Sequence, residues 1–180
     1  MELSPEQSKL SYDAIDEYAE RVGREYSIYN ADGTADLDKL IKKLGGNIGT
    51  MDSSRTSLLI NGKGTFTIYL PASISSRKKR FSVARSLGQY FLHYRYPGLK
   101  GTMRFIINGN TMVNTQGNVF GSSLLMPAKE FAERYVEYGG DNWVLSGLFG
   151  VSPLAIDTRL KRLPLDGSLL RDFPERYRNG

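Results

Sequence analysis

The hydrophobic positions change period along the chain, and each change marks an element. Between residues 6 and 22, Leu10, Ala14, Ile15, Tyr18, Ala19 and Val22 fall three and four apart. That spacing predicts an amphipathic helix entered through Ser4-Pro5, with proline at its first position. Asn30-Ala31-Asp32-Gly33 reads as a turn. Asp36 to Leu44 predicts a short helix through Leu37, Leu40, Ile41 and Leu44, closed by Gly45-Gly46. Alternation then replaces helical spacing. Asn47 to Thr50, Ser57 to Ile60 and Thr65 to Leu70 read as strands, the last two joined by the hairpin signal Asn61-Gly62-Lys63-Gly64.

Helical spacing returns after Pro71. A basic lead-in from Ser73 to Arg80 feeds a helix over Phe81 to His93, which Pro97-Gly98 ends. A connector from Gly98 to Thr115 holds a short strand, Met103 to Ile107, and an Asn108-Gly109 turn. A long helix is expected from Gln116 to about Val136, bent at Pro127. Trp143 to Leu163 reads as two short helices joined at Phe149-Gly150-Val151, with Ser152 as N-cap and Pro153 in the first turn, a helix-turn-helix-like spacing. The tail, 164 to 180, is expected to pack in part and fray at its end. The fold class this predicts is α+β, with a domain over 1–140 and a C-terminal segment over 141–180 packed on it as one compact unit.

Composition narrows the chemistry. The chain has 180 residues, 40% of them hydrophobic and 24% charged, which is ordinary for a globular protein. It contains no spanning apolar run, and its acidic, amphipathic start is not a signal peptide, so a cytoplasmic location away from membranes is expected. There is no cysteine, which removes disulfides and thiolate metal sites, and there is one histidine, His93. A zinc site built from a single histidine is uncommon. The net charge of +5, with Arg77-Lys78-Lys79-Arg80 at a helix start, permits contact with phosphates or an acidic partner.

The helix over Phe81 to His93 has two faces. Phe81, Ala84, Leu87, Gly88, Phe91 and Leu92 form the apolar stripe. Ser82, Arg85, Ser86, Gln89 and His93 stack on the other side. Arg85-Ser86-Leu87-Gly88-Gln89 stands where a zinc peptidase would carry His-Glu-Leu-Gly-His. In such a helix two histidines one turn apart hold zinc, and the glutamate activates its water. Arg85 is permanently cationic, and Ser86 is no base near neutral pH.

Three segments in order resemble one family, the ImmA/IrrE zinc metallopeptidases. They are the basic lead-in with RKKRFSVARSLGQYFLH, then Gln116-Gly-Asn-Val-Phe-Gly-Ser-Ser-Leu-Leu-Met-Pro127, then Leu145 to Leu163 with its Arg-Leu-Lys-Arg-Leu. The resemblance implies a zincin-like domain. It places the family's ligand positions at Arg85, Gln89 and Gln116, its catalytic glutamate at Ser86, and its following histidine at His93. The functional positions differ while the framework residues match. The resemblance therefore implies a pseudopeptidase with no catalytic residue, metal or cofactor, whose emptied pocket is filled by hydrogen bonding or takes an anion. Active relatives cleave helix-turn-helix repressors. The implied function is an antirepressor-like regulator, of a prophage or mobile element, that binds such a repressor. Direct DNA binding through the last helix pair, with Asp157, Thr158, Lys161 and Arg162 outward, is an alternative, as is residual peptidase activity.

Overall fold

The computed structural model describes residues 2–163; the expected packing of the tail lies outside them. The protein is α+β, with a five-stranded mixed sheet in the order β1-β5-β3-β4-β2. Strand β3 (Thr56–Ile60) runs antiparallel to both β4 (Phe66–Leu70) and β5 (Thr102–Ile106). Strand β2 (Asn47–Thr50) is parallel to β4, and β1 (Glu2–Leu3) is parallel to β5. The β3–β4 hairpin closes as the sequence predicts. Asn61 N donates to Thr65 O at 2.9 Å, and Gly64 takes the positive φ that the turn needs. Strand β1 is the element the sequence reading lacks.

Helix α1 spans Tyr12–Glu25, not 6–22. Ser11 is its cap, accepting from Ala14 N at 3.2 Å, and buries the helix through Ile15, Ala19 and Val22. The start moves because residues 2–10 are held in other contacts, as part of the sheet edge and the cleft beside it. Helix α2 (Leu37–Lys43) is where the sequence places it, with Asp36 accepting from Lys39 N at 2.9 Å.

Helix α3 (Ser76–Tyr90) absorbs the basic lead-in and widens into a π turn over Phe91–Arg95. Helix α4 spans Thr111–Leu125, starting five residues before the expected Gln116. Asn110 caps it, accepting from Met112 N at 3.0 Å and Val113 N at 3.3 Å. The expected bend at Pro127 is a full break, because Met126 leaves helical geometry and Pro127 caps a separate helix, α5 (Ala128–Glu137). Helices α6 (Asn142–Phe149) and α7 (Pro153–Arg162) meet at Gly150, which is left-handed at φ 66°, and Ser152 caps α7 as expected.

Helices α3 and α4 lie backbone to backbone because glycines line their contact. A Cβ on Gly121 would stand 2.8 Å from Arg85 N, and one on Gly88 would stand 2.8 Å from Phe120 Cβ. One continuous core runs from the sheet through α3 and α4 to Leu145, Phe149, Val151 and Ile156 of the last helix pair. Within it Arg159 is only 1% exposed. Its guanidinium donates to Met126 O at 2.9 Å, Ser123 Oγ at 3.0 Å and Glu20 Oε1 at 3.1 Å, tying α7 to α4 and α1. No helix among the described residues is long and apolar enough to cross a membrane.

Candidate functional site

The close α3–α4 contact fixes where the five singled-out residues go. Ser86, Gln89, His93 and Gln116 are all buried. Arg85 is half-buried, its Cγ 3.2 Å from where a Cβ on Gly117 would be. Burial pushes its guanidinium below the ordinary arginine value, and it forms no ion pair among the described residues. Gln89 turns to α4, where its Nε2 donates to Asn114 Oδ1 at 2.9 Å, leaving Oε1 buried and unpartnered.

Gln116 turns the other way, onto the N-terminal segment. Its Oε1 accepts from Ser8 N at 2.9 Å and its Nε2 donates to Ser8 O at 2.8 Å. One side-chain amide thus holds both polar groups of one residue's backbone. His93 faces Phe105, with ring centroids 6.2 Å apart. Burial pushes its pKa down to about 4, against a weaker opposing pull from backbone groups of Glu6 and Val113. Neither ring nitrogen closes a well-formed hydrogen bond. Of the residues expected to fill the pocket, Gln89 bonds to Asn114 and Gln116 bonds to Ser8.

Two cavities flank residues 2–9. One, of about 470 Å³, lies between β1, β5 and the start of α4 and is lined by Gln89, Phe105, Asn110 and Val113. The other, of about 450 Å³, is lined by His93, Leu92, Tyr96 and residues of the N-terminal segment. Leu3 and Ser4 line both, so the segment runs between them.

The donors present do not fit the zinc that a peptidase helix of this kind holds. An arginine offers no lone pair, and a serine at the position of the general base has no basicity near neutral pH. Both polar atoms of the Gln116 amide are already engaged. Among the described residues, no three His, Cys, Asp or Glu side chains are grouped to hold a metal ion.

The basic run divides. Arg77, Lys78 and Lys79 are exposed. Arg80 turns inward, donating to Ala35 O at 2.7 Å and Phe149 O at 3.1 Å, so it serves the fold and is not a free contact. On α7, Thr158 and Lys161 are exposed, but Arg162 pairs with Asp16 and Asp157 accepts from Asn142. Sequence reasoning missed Ser8 and Asn114. Neither carries a signal of its own, since each is defined by the glutamine that reaches it.

Comparison with known proteins bears on the family and the fold. The model of the IrrE N-terminal-like domain, a peptidase M78 family, matches residues 42–161. No curated protein gives a significant match. Among solved structures, a Mycobacterium tuberculosis transcriptional regulator superposes with a TM-score of 0.54 at 16% identity, over 82% of this chain and 46% of that one. The chain therefore spans less than half of that protein, and the likeness is one of fold.

Proposed function

The chain belongs to the IrrE N-terminal-like domain family, and from that premise we propose that it is a non-catalytic regulator of transcription that binds a helix-turn-helix repressor without cleaving it. The observation that carries this reading is the donor set on α3 and α4. Arg85, Ser86, Gln89 and Gln116 stand where the resemblance puts zinc ligands and base, and two of them are bonded to Asn114 and Ser8. The surrounding scaffold is intact, and Gly88, Gly117 and Gly121 still bring the two helices together. A regulatory role also fits the fold shared with a transcriptional regulator. Relief of repression then comes from sequestering the repressor, as an antirepressor encoded on a prophage or other mobile element would act.

The test mixes the purified chain with a repressor encoded beside it. Co-elution with the repressor at full length, and release of operator DNA, are the expected results. Repressor fragments, or stoichiometric zinc on the purified chain, would overturn the reading.

Direct DNA binding is the second reading, favoured by the exposed Arg77, Lys78 and Lys79 at the start of α3, with Lys161 on α7. It predicts duplex binding whose affinity falls steeply with salt, as counterion release requires. Fluorescence anisotropy at two salt concentrations measures it.

A further inference from the structure

The N-terminal segment is held in the cleft by contacts that read a peptide backbone. Glu2 and Leu3 extend the sheet by pairing with Thr102 and Met103 of β5, in the manner of a peptide adding to a sheet edge. Five residues on, the Gln116 amide holds the Ser8 backbone from both sides. That clamp touches no side-chain atom of Ser8 and accepts any residue with a free N–H. Between these anchors, Gln89 lines the adjoining cavity with its Oε1 buried and without a donor.

The hold is light. Its main polar parts are a two-residue strand, one amide clamp and an ion pair between Glu2 and Arg104 whose side chains are 53% and 44% exposed. Exposed pairs of this kind contribute little. Leu3 packs at the margin of the core, but it is only partly buried.

We infer that residues 2–9 are a displaceable internal ligand, and that the cleft between β5 and Gln116 is a binding site for an extended peptide segment of a protein partner. The segment that fits carries a carboxylate for Arg104 and then an aliphatic side chain in the place of Leu3. It has a backbone amide with a free N–H about five residues further on for Gln116, and a donor within reach of Gln89 Oε1. The identity of that partner rests on the regulator reading above; the site itself does not. While the strap is seated, a competing segment binds only in the fraction of molecules where it is open, and its apparent affinity falls by that fraction.

The experiment uses the full-length chain and a fluorescent peptide with the sequence of residues 2–10, read by anisotropy. A Glu2→Lys/Leu3→Asp chain, whose strap repels Arg104 and loses its aliphatic anchor, is expected to bind the peptide about tenfold more tightly than the unaltered chain. Adding Gln116→Ala should abolish that gain. Equal affinity of the strap variant and the unaltered chain, or indifference to Gln116→Ala, would overturn the proposal.

A measurement on the unaltered chain guards against a variant that misfolds. The Ser8 amide should exchange its hydrogen about 100-fold faster than the core amides of β3 and β4, because local opening frees it. Exchange of Ser8 only as fast as that core would show that the strap never leaves, and would also overturn the proposal. Peptide capture with no repressor complex would uphold the site and remove the repressor. A repressor complex with no peptide capture would do the reverse.

Discussion

Arg159 reaches Glu20 across 139 residues of sequence, its Nη2 3.1 Å from Glu20 Oε1. The same guanidinium lies 3.4 Å from Asp16 and bonds to Ser123 and Met126, so a single side chain fastens three helices. Removing one partner of a buried charged network leaves the others unpaired, at a cost of about 3 kcal/mol. Arg159→Met should therefore lower the unfolding free energy measured by urea denaturation by that much. Arg159→Lys should recover little, because one ammonium lacks the planar fork that spans these acceptors. A loss below about 1 kcal/mol for Arg159→Met would mean that the network holds nothing.

The chain should lose stability as pH falls from about 6.5 to about 4. His93 has a folded pKa of about 4 against an ordinary 6.5. The unfolded state therefore takes up its proton first. The contribution of neutral His93 is complete above 6.5 and is lost as pH drops to the folded value, a span worth about 3 kcal/mol. His93→Gln removes the titration, so its stability should be flatter across that window. An unchanged slope in chemical denaturation at a series of pH values would refute the assignment.

Two glycine-to-alanine changes should act in opposite directions. At Gly121 the new methyl would stand 2.8 Å from the backbone N of Arg85, and overpacking of this kind costs about 1–3 kcal/mol. At Gly147, exposed on α6, a Cβ meets nothing within 4 Å, and alanine should stabilise by about 0.5–1 kcal/mol through helix propensity and unfolded-state entropy. Thermal melts of the two variants decide it.

Neighbours in the basic run should separate in the same assay. Arg80→Ala leaves the carbonyls of Ala35 and Phe149 without their donor, and should cost about 1–3 kcal/mol. Lys78→Ala, on the exposed face, should stay within about 0.5 kcal/mol. Equal losses would contradict the inward position of Arg80.

What was legible in the sequence was local. Asp36, Ser152 and the Asn61–Gly64 turn each act within a few residues, and each does in the fold what its type predicts. The start of α4 was missed because Thr111 to Gln116 offers almost no apolar periodicity, although Asn110 is a good cap directly after the Asn108-Gly109 turn. The candidate site was half legible. The stack of Arg85, Ser86, Gln89 and His93 on one helix face follows from spacing. The turn of Gln116 toward Ser8 does not, because it depends on a strand only two residues long that pairs with residue 102. The burial of Arg159 was hidden for the same reason, since its partners lie far off in sequence, in α1 and at the end of α4.

These long-range contacts also set an order of events at the ribosome. The strap and α1 emerge before their partners, since Gln116 follows Ser8 by 108 residues and Arg159 follows Glu20 by 139. At ordinary elongation rates that is an interval on the order of 5 to 30 s. Until α4 emerges, the apolar face of α1 lacks the helix it packs against in the fold, where Tyr18 meets Phe120. The Arg159 network can close only after α7 has left the exit tunnel, so the fastening of α1 to α7 comes later than its packing on α4 can begin.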